Sequence, residues 1–548
     1  MKRMKGIYYS WILCPICFFS SIHFSTAQTG IYNVHGWQLL DYRTDSVFGA
    51  GVNRAYEELL KGKKAVPVIV ALIDGGLDTA HEDLTGHIWT NTKEIPGNGI
   101  DDDHNGYVDD IHGWNFLGGK NGKNIIIESY ESSREYYRLK NSPAEKKDQD
   151  YKADSIYRDK VVKYFQKDSL QQAQTVSLLE QLIPQMRAAD SILKFNLHKD
   201  SVYTRDVMEY QPTDSTFIQV KKNTLAYFRK YGMTSDMSLG WFIGEADEFL
   251  QSSRVKLQNL SIDPNALRRD VVGDDYNNPD DKNYGNNNIS AGNPEHGTHV
   301  AGIIAATRHN GIGMDGIDGR VLIMPIRAVP DGDERDKDIA LSIRYAVDNG
   351  ARIVNMSFGK YFSPGKKWVD DAVRYAEQHD VLLIHAAGNE NRDLDSTKHY
   401  PNPDFEGSLS KSGCFITVGA STGGPDSVVL ARFSNYGKKE VDLFAPGVKI
   451  FSTVPGNQYA AYSGTSMAAP MVTGIAALLL EYYPRLSARQ LKYILVHSVM
   501  KLPENQVKWA ATGKTVDFSG LSVSGGIVNA YNALRLAATL KGERKNTR

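Results

Sequence analysis

The chain has 548 residues, a formal net charge of −1, 41% hydrophobic and 23% charged residues. That length fits one large domain with additions, or several ordinary ones, and the apolar share is enough for a packed core. A charge so near neutral leaves no electrostatic footprint for a nucleic acid or an acidic membrane surface, so no nucleic-acid partner is expected.

Residues 1–27 read as a signal peptide. Lys2, Arg3 and Lys5 precede a mostly apolar stretch, Tyr8 to Phe19, and Ser25-Thr26-Ala27 supplies small residues at the cleavage positions. The apolar stretch is short for a membrane span, so a chain starting near Gln28 is expected, secreted or held in the periplasm or at the cell surface. Cys14 and Cys17 fall inside this segment, without the small residues of a lipoprotein signal, and Cys414 alone remains. The cleaved chain then has no intramolecular disulfide. No later stretch reads as a transmembrane helix, so no membrane anchor is expected in the mature form. Residues 28–65 form an N-terminal extension whose helical segment, Val52 to Leu60, is expected to pack on the core.

Residues 66–119 open the main domain. Val68 to Ile73 is a short continuous apolar run, as expected of a strand buried on both faces. It leads into Asp74-Gly75-Gly76. The acidic run Asp101 to Asp110 follows. Counted from Asp101, oxygen-bearing side chains fall at positions 1, 3, 5 and 9 (Asp101, Asp103, Asn105, Asp109), Gly106 at 6 and the Tyr107 carbonyl at 7. This is the first part of a calcium loop, for a structural Ca2+; position 12 is His112 instead of Glu, and Asp110 is the candidate replacement. A self-capped acidic turn is the alternative.

Residues 120–258 are charged, rich in Tyr and helical in pattern, and read as an insertion; Val176, Leu179, Ile183 and Met186 form an apolar stripe with Pro184 as an expected kink. We expect this insertion to be a lid or wall of the substrate cleft, or a peripheral decoration. Residues 259–540 complete the main domain, after an Asp-, Asn- and Gly-rich surface loop at Asp270 to Asn288. Apolar runs at Val321 to Ile326, Ile353 to Met356, Val381 to Ile384 and Ile416 to Val418 alternate with helical stretches at Asp338 to Asn349 and Trp368 to His379. Strands alternating with helices imply an α/β fold with a mostly parallel sheet, whose ligands bind at the carboxyl ends of the strands. Residues 541–548 are a polar tail.

Two further motifs stand on expected buried helices. His296 opens Gly297 to Ala306, with His299 beside it as a structural residue. Ser466, in Ser463-Gly464-Thr465-Ser466-Met467-Ala468-Ala469-Pro470, opens a run to Leu480, with Pro470 placed in the first turn. A serine at a helix N-terminus lies near unpaired backbone N–H groups and the positive end of the dipole.

The order Asp…His…Ser, with Glu295-His296-Gly297-Thr298-His299-Val300-Ala301-Gly302 and the Ser466 string, resembles the subtilisin-like serine peptidases (subtilases) over Val66 to Gly118 and Asn283 to Ala533. The resemblance implies a three-layer α/β/α fold and a serine endopeptidase acting on polypeptide substrates through an acyl-enzyme, with Asp74, His296 and Ser466 as triad. It implies an oxyanion donor at Asn389, in Ala386-Ala387-Gly388-Asn389. It also implies substrate-pocket walls at Ser357, Phe358 and Gly359 and at Ala386, Ala387 and Gly388. Phe358 narrows a secondary pocket or fills core; Glu390 biases the pocket toward basic side chains or is a solvated carboxylate. No cofactor is required for such catalysis. Many subtilases carry a folding prodomain, but residues 28–65 are too few for an independent domain, so folding without one is expected. An α/β-hydrolase is excluded, since it wants Gly-x-Ser-x-Gly and the order Ser…Asp…His. A catalytically silent peptide-binding pseudoprotease is the alternative.

Overall fold

The computed structural model describes residues 35–141, 151–231, 238–260, 263–424, 429–509 and 514–544. The expected signal peptide, the start near Gln28 and the tail residues 545–548 lie outside the described residues. The chain divides into two units, Glu135–Asp263 and the described parts of Ala27–Arg134 with Pro264–Arg548.

The second unit is built on one sheet. In chain order its strands are β1 Ile69–Asp74, β2 Trp114–Asn115, β3 Leu322–Arg327, β4 Ile353–Met356, β5 Leu382–Ala386, β6 Phe415–Ser421 and β7 Leu443–Pro446. They lie in the order β2-β3-β1-β4-β5-β6-β7, with every neighbouring pair parallel. Alternate residues of a strand face opposite sides, and both sides are apolar here. Val70 and Leu72 face one core cluster with Ile353, Ile384 and Ile416. Ala71 and Ile73 face another with Val354, Met356 and Leu383. The first side is covered by helices Glu295–Ala305 and Thr465–Tyr482, the second by Asp336–Asp348 and Lys366–Gln378. The architecture is the three-layer α/β/α expected from the sequence.

The extension Val52–Leu60 is helical, its last turn a π-turn, and Val52, Ala55 and Leu60 join the first core cluster. An antiparallel hairpin, β8 Ile450–Val454 and β9 Gln458–Tyr462, escaped the sequence reading because one strand is half-exposed. It is strapped to the helix that begins at Glu295: Ser452 Oγ and Thr453 Oγ1 donate to the carbonyls of His299 and Thr298, each at 2.7 Å. The segment 270–288 is loop beyond Val271 but more than surface, since Asp274 and Tyr284 are buried.

Two expectations need correction. Helix Thr465–Tyr482 is long and apolar enough to cross a membrane. Its apolarity serves the core, with Met471, Ile475 and Leu479 at 0% exposure. Pro470 lies inside this helix, beyond the first turn. In the unit Glu135–Asp263, helix Tyr151–Leu197 runs unbroken through Pro184. Leu179, Ile183 and Met186 of the expected stripe pack with Phe242, Ile243 and Leu250 of helix Leu239–Asn259.

Close packing of helix Thr465–Tyr482 depends on Gly474, where an added Cβ would lie 2.8 Å from Ile317 Cβ. Although alanine favours helix over glycine, Gly474→Ala is expected to lower stability by about 1–3 kcal/mol. A denaturant midpoint at or above the parent value would show that Ile317 yields without cost.

Candidate active site

The carboxyl ends of adjacent strands carry the candidate residues. Asp74 is the last residue of β1. Ser357 follows β4, and Ala386 ends β5. The parallel register sets Ile73 beside Met356 and Met356 beside His385, so the segments leaving β1, β4 and β5 are neighbours.

The structure brings Asp74 and His296 together. His296 Nδ1 lies 2.8 Å from Asp74 Oδ1 and 3.0 Å from Oδ2. A carboxylate only accepts, so Nδ1 carries the proton and Nε2 keeps its lone pair in the neutral ring. The Gly75 N–H also donates to Asp74 Oδ1, at 2.7 Å. Burial pulls the His296 pKa down, but the Asp74 carboxylate, its hydrogen bond and Glu295 outweigh that and hold it above the ordinary 6.5. His299, one turn along the same helix, shows the opposite balance. Its Nε2 donates to the Ala460 carbonyl at 3.1 Å, its ring stacks on Tyr462, and burial pushes its pKa down to about 3. It stays neutral.

Ser466 lies in the first turn of helix Thr465–Tyr482. Its Oγ donates to the Ser357 carbonyl at 3.0 Å; the His296 ring is not its partner. In return Ser357 Oγ donates to the Ser466 carbonyl at 3.0 Å. That carbonyl is four residues before Pro470, which has no N–H to offer it, so the hydroxyl of Ser357 fills the gap. Ser357 Oγ in turn accepts from Asn355 Nδ2 at 2.9 Å, and Asn355 Oδ1 accepts from Thr473 Oγ1 at 2.8 Å.

Asn389 is oriented by Thr465, a residue that sequence reasoning passed over. Asn389 Oδ1 accepts from the Thr465 N–H and from Thr465 Oγ1, both at 2.9 Å. Two donors on one oxygen fix which end of the amide is which and turn Nδ2 the other way. A Cβ placed on Gly464 would sit 3.5 Å from the Ser466 amide nitrogen and 3.6 Å from Asn389 Nδ2, so the two nitrogens border the same small space.

The expected pocket walls lie at the carboxyl ends of the neighbouring strands β4 and β5. Ser357, Ala386 and Ala387 are buried, while Phe358, Gly359 and Gly388 are half-buried. Phe358 packs against the second core cluster. His399 touches both walls: a Cβ on Gly359 would meet its Cε1 at 2.3 Å, and one on Gly388 its Nε2 at 3.1 Å. The exposed Glu390 is not a freely solvated carboxylate, since it accepts from Tyr361 Oη and from Asn435 Nδ2.

In the acidic run, the carboxylates that converge are Glu94, Asp101 and Asp103, with ligand oxygens within 4.8 Å of one another. Glu94 was missed because it lies outside the counted loop. Asp109 of the expected set is not in that convergent group; its oxygens accept from the N–H groups of Gly97, Asn98 and Gly99. Asp110 turns to Asn91, Asn105 and Tyr345, and burial raises its pKa to about 6. Asn105 Oδ1 accepts from the Tyr107 N–H. The three convergent carboxylates fit a hard cation, since each oxygen engaged by a backbone N–H retains a second lone pair.

The chain matches the Subtilase family (Peptidase_S8) over residues 67–514. It is 41% identical over 185 residues to "Thermophilic serine proteinase" of Bacillus sp. (strain AK1), covering 34% of this chain and 42% of that one. It is 35% identical over 252 residues to "Alkaline elastase YaB" of Bacillus sp. (strain YaB), covering 46% of this chain and 58% of the relative. It is 35% identical over 212 residues to "Subtilisin DY" of Bacillus licheniformis, covering 38% of this chain and 72% of the relative. The matched part thus spans about half the length of the first two relatives. A match from residue 67 to residue 514, enclosing the Asp74, His296 and Ser466 motifs, means that this chain belongs to the subtilase family.

Proposed function

We propose that the chain is an exported serine endopeptidase that cleaves polypeptides through an acyl-enzyme. The observation that carries this reading is the Asp74–His296 hydrogen bond, which leaves His296 Nε2 as an available base. In the proposed reaction Ser466 Oγ gives up its bond to the Ser357 carbonyl, passes its proton to Nε2 and attacks the scissile carbonyl carbon. Catalytic hydrogen bonds often form only in the substrate complex. His296 then protonates the leaving amine, while Asp74 holds the ring tautomer and stabilises the imidazolium without taking the proton. The Ser466 N–H and Asn389 Nδ2 bind the oxyanion, helped by the helix N-terminus. Deacylation repeats the sequence with water as nucleophile. An extended substrate lies along the segment from Ser357 to Gly359, with its main specificity side chain between that segment and Ala386 to Gly388. Export rests on the signal-like N-terminal segment.

Casein hydrolysis by the purified protein beside its variants tests the reading. Ser466→Ala is expected to abolish turnover and fluorophosphonate labelling. Asn389→Ala is expected to lower kcat by about 10²–10³-fold, the cost known for one oxyanion donor in a subtilisin. A folded parent with neither hydrolysis nor labelling would leave the silent peptide-binding reading in its place.

The pH profile follows from His296. The base must be neutral, and its raised pKa keeps it protonated to higher pH than an ordinary imidazole. The acid limb of kcat/KM is therefore expected to turn at an apparent pKa above 6.5; a limb at 6 or below would contradict the arrangement.

We also propose that Glu94, Asp101 and Asp103 hold a structural calcium ion. Calcium is expected to raise the thermal midpoint and EGTA to reverse it. The gain is about 2.7 kcal/mol when free calcium is a hundred times Kd. Asp101→Asn with Asp103→Asn should erase the calcium response; an equal response in that double variant would place the ion elsewhere.

A further inference from the structure

Arg327 ends β3, directly beside Asp74 in the parallel register. Its side chain is 2% exposed. Other buried cations of the sheet unit have carboxylates: Arg268 has Asp274 and Asp338, Arg335 has Glu128, and Lys360 has Glu131 and Asp336. Arg327 has none. Its Nε donates to the carbonyls of Gly75 at 3.0 Å and Ala291 at 2.9 Å. Its Nη1 donates to Asn115 Oδ1 at 3.0 Å, and its Nη2 to the Ile125 carbonyl at 2.6 Å. Burial without a counter-charge pulls its pKa down to about 10.

An unpaired buried charge is unfavourable, and an apolar side chain of similar volume would fill the space at lower cost. What an apolar side chain cannot do is join these acceptors. Gly75 follows Asp74, Ala291 lies on the approach to His296, and Asn115 and Ile125 flank the edge of the sheet. A rigid planar fork of donors can hold all of them at once.

We propose that Arg327 is a positioning residue for the Asp74–His296 pair, an inference that rests on the reading of that pair given above. The connection is continuous. Arg327 Nε holds the Gly75 carbonyl, the Gly75 N–H donates to Asp74 Oδ1, and Asp74 Oδ1 accepts from His296 Nδ1. The second bond from Nε ties the same loop to the segment entering the helix that carries His296. That helix start fits closely against the loop: a Cβ on Gly297 would lie 2.0 Å from the Gly76 carbonyl oxygen and 3.3 Å from Asp74 Cβ, and one on Gly76 would lie 3.6 Å from Arg327 Cδ. The loop has no spare room, so its position is passed to the carboxylate.

The test compares the full-length parent with Arg327→Met and Arg327→Lys, using His296 titration by NMR, with its resonance identified from His296→Gln. Casein kinetics are measured alongside, normalised to fluorophosphonate-titrated sites. Arg327→Met is expected to bring the His296 pKa down toward 6.5, as Asp74 loosens, and to lower kcat about 10–100-fold with little change in KM. Arg327→Lys keeps the charge but not the fork, and should recover part of both effects. If Arg327→Met does not fold, Arg327→Lys decides alone: a lowered His296 pKa supports the proposal, and a parental value overturns it. Unchanged titration and kcat in a folded Arg327→Met, with only stability lost, would make Arg327 a core contact. A parent with a raised His296 pKa but no Ser466-dependent hydrolysis would remove the peptidase reading, while the NMR comparison would still decide the role of Arg327.

Discussion

A sheet covered by helices on both faces leaves only the ends of its strands open to a substrate. The candidate site follows from that constraint. Asp74, Ser357 and Ala386 emerge side by side because β1, β4 and β5 are neighbours in register. His296 and Ser466 come from helices on the same face of the sheet, each near the start of its helix. Those helices are apolar nearly all round because they lie against the sheet and each other, with Val300, Ile303 and Ile304 in one cluster with Ile475 and Leu479. The packing that closes the core thereby aims the first turns at the open edge.

The surroundings of each polar group then decide its chemistry. His296 and His299 share a helix and lie a single turn apart, yet their pKa values move in opposite directions, because Asp74 faces only the first. Pro470 frees one carbonyl, and the structure answers with Ser357, whose own partners run through Asn355 to Thr473. The proline thereby links the helix of Ser466, the proposed nucleophile, to the strand segment proposed to bind substrate. Thr465 does the equivalent for Asn389, holding the amide by its oxygen so that its N–H groups are left for a ligand. In the proposed reaction these are pre-set dipoles, which need no reorganisation when charge develops beside them.

Most of the sheet was legible in the sequence because strands buried on both faces are continuous apolar runs, and β1, β3, β4, β5 and β6 appear within a few residues of where those runs lie. The exceptions have physical reasons. In the sheet, β2 is only two residues long and β7 only four; outside it, β9 is half-exposed and lacks the run. Pro470 was misplaced because an isolated motif does not reveal where its helix begins. The acidic loop differs in part from its spacing because ligand spacing counts positions along the chain, whereas Glu94 approaches from before the loop and Asp109 lies outside the convergent group, turned to the N–H groups of Gly97 to Gly99. Arg327 left a trace, a charged residue at the end of an apolar run, but only the structure supplies its acceptors.

Buried charge also explains how the sheet unit tolerates a chain excursion as long as Glu135–Asp263. The segments on either side of it, within the sheet unit, are fixed by paired ions as well as by the apolar contacts of Ile125, Val271 and Val272. On the outgoing side Glu131 is bound by Arg134 and Lys360, and Glu128 by Arg335. Burial alone would raise the Glu131 pKa, but the two cations hold it down at about 2, so it stays charged. On the returning side Arg268 is bound by Asp274 and Asp338, with Lys337 also on Asp274. Such pairs add little net stability over an apolar substitute, but removing one partner strands the other and is costly. They therefore specify one arrangement at each end, including helix Asp336–Asp348, whose first turn supplies Asp336, Lys337 and Asp338. Because that helix covers the sheet beside β1 and β3, fixing both ends of the excursion to it keeps them in register with the strands that carry Asp74 and Arg327.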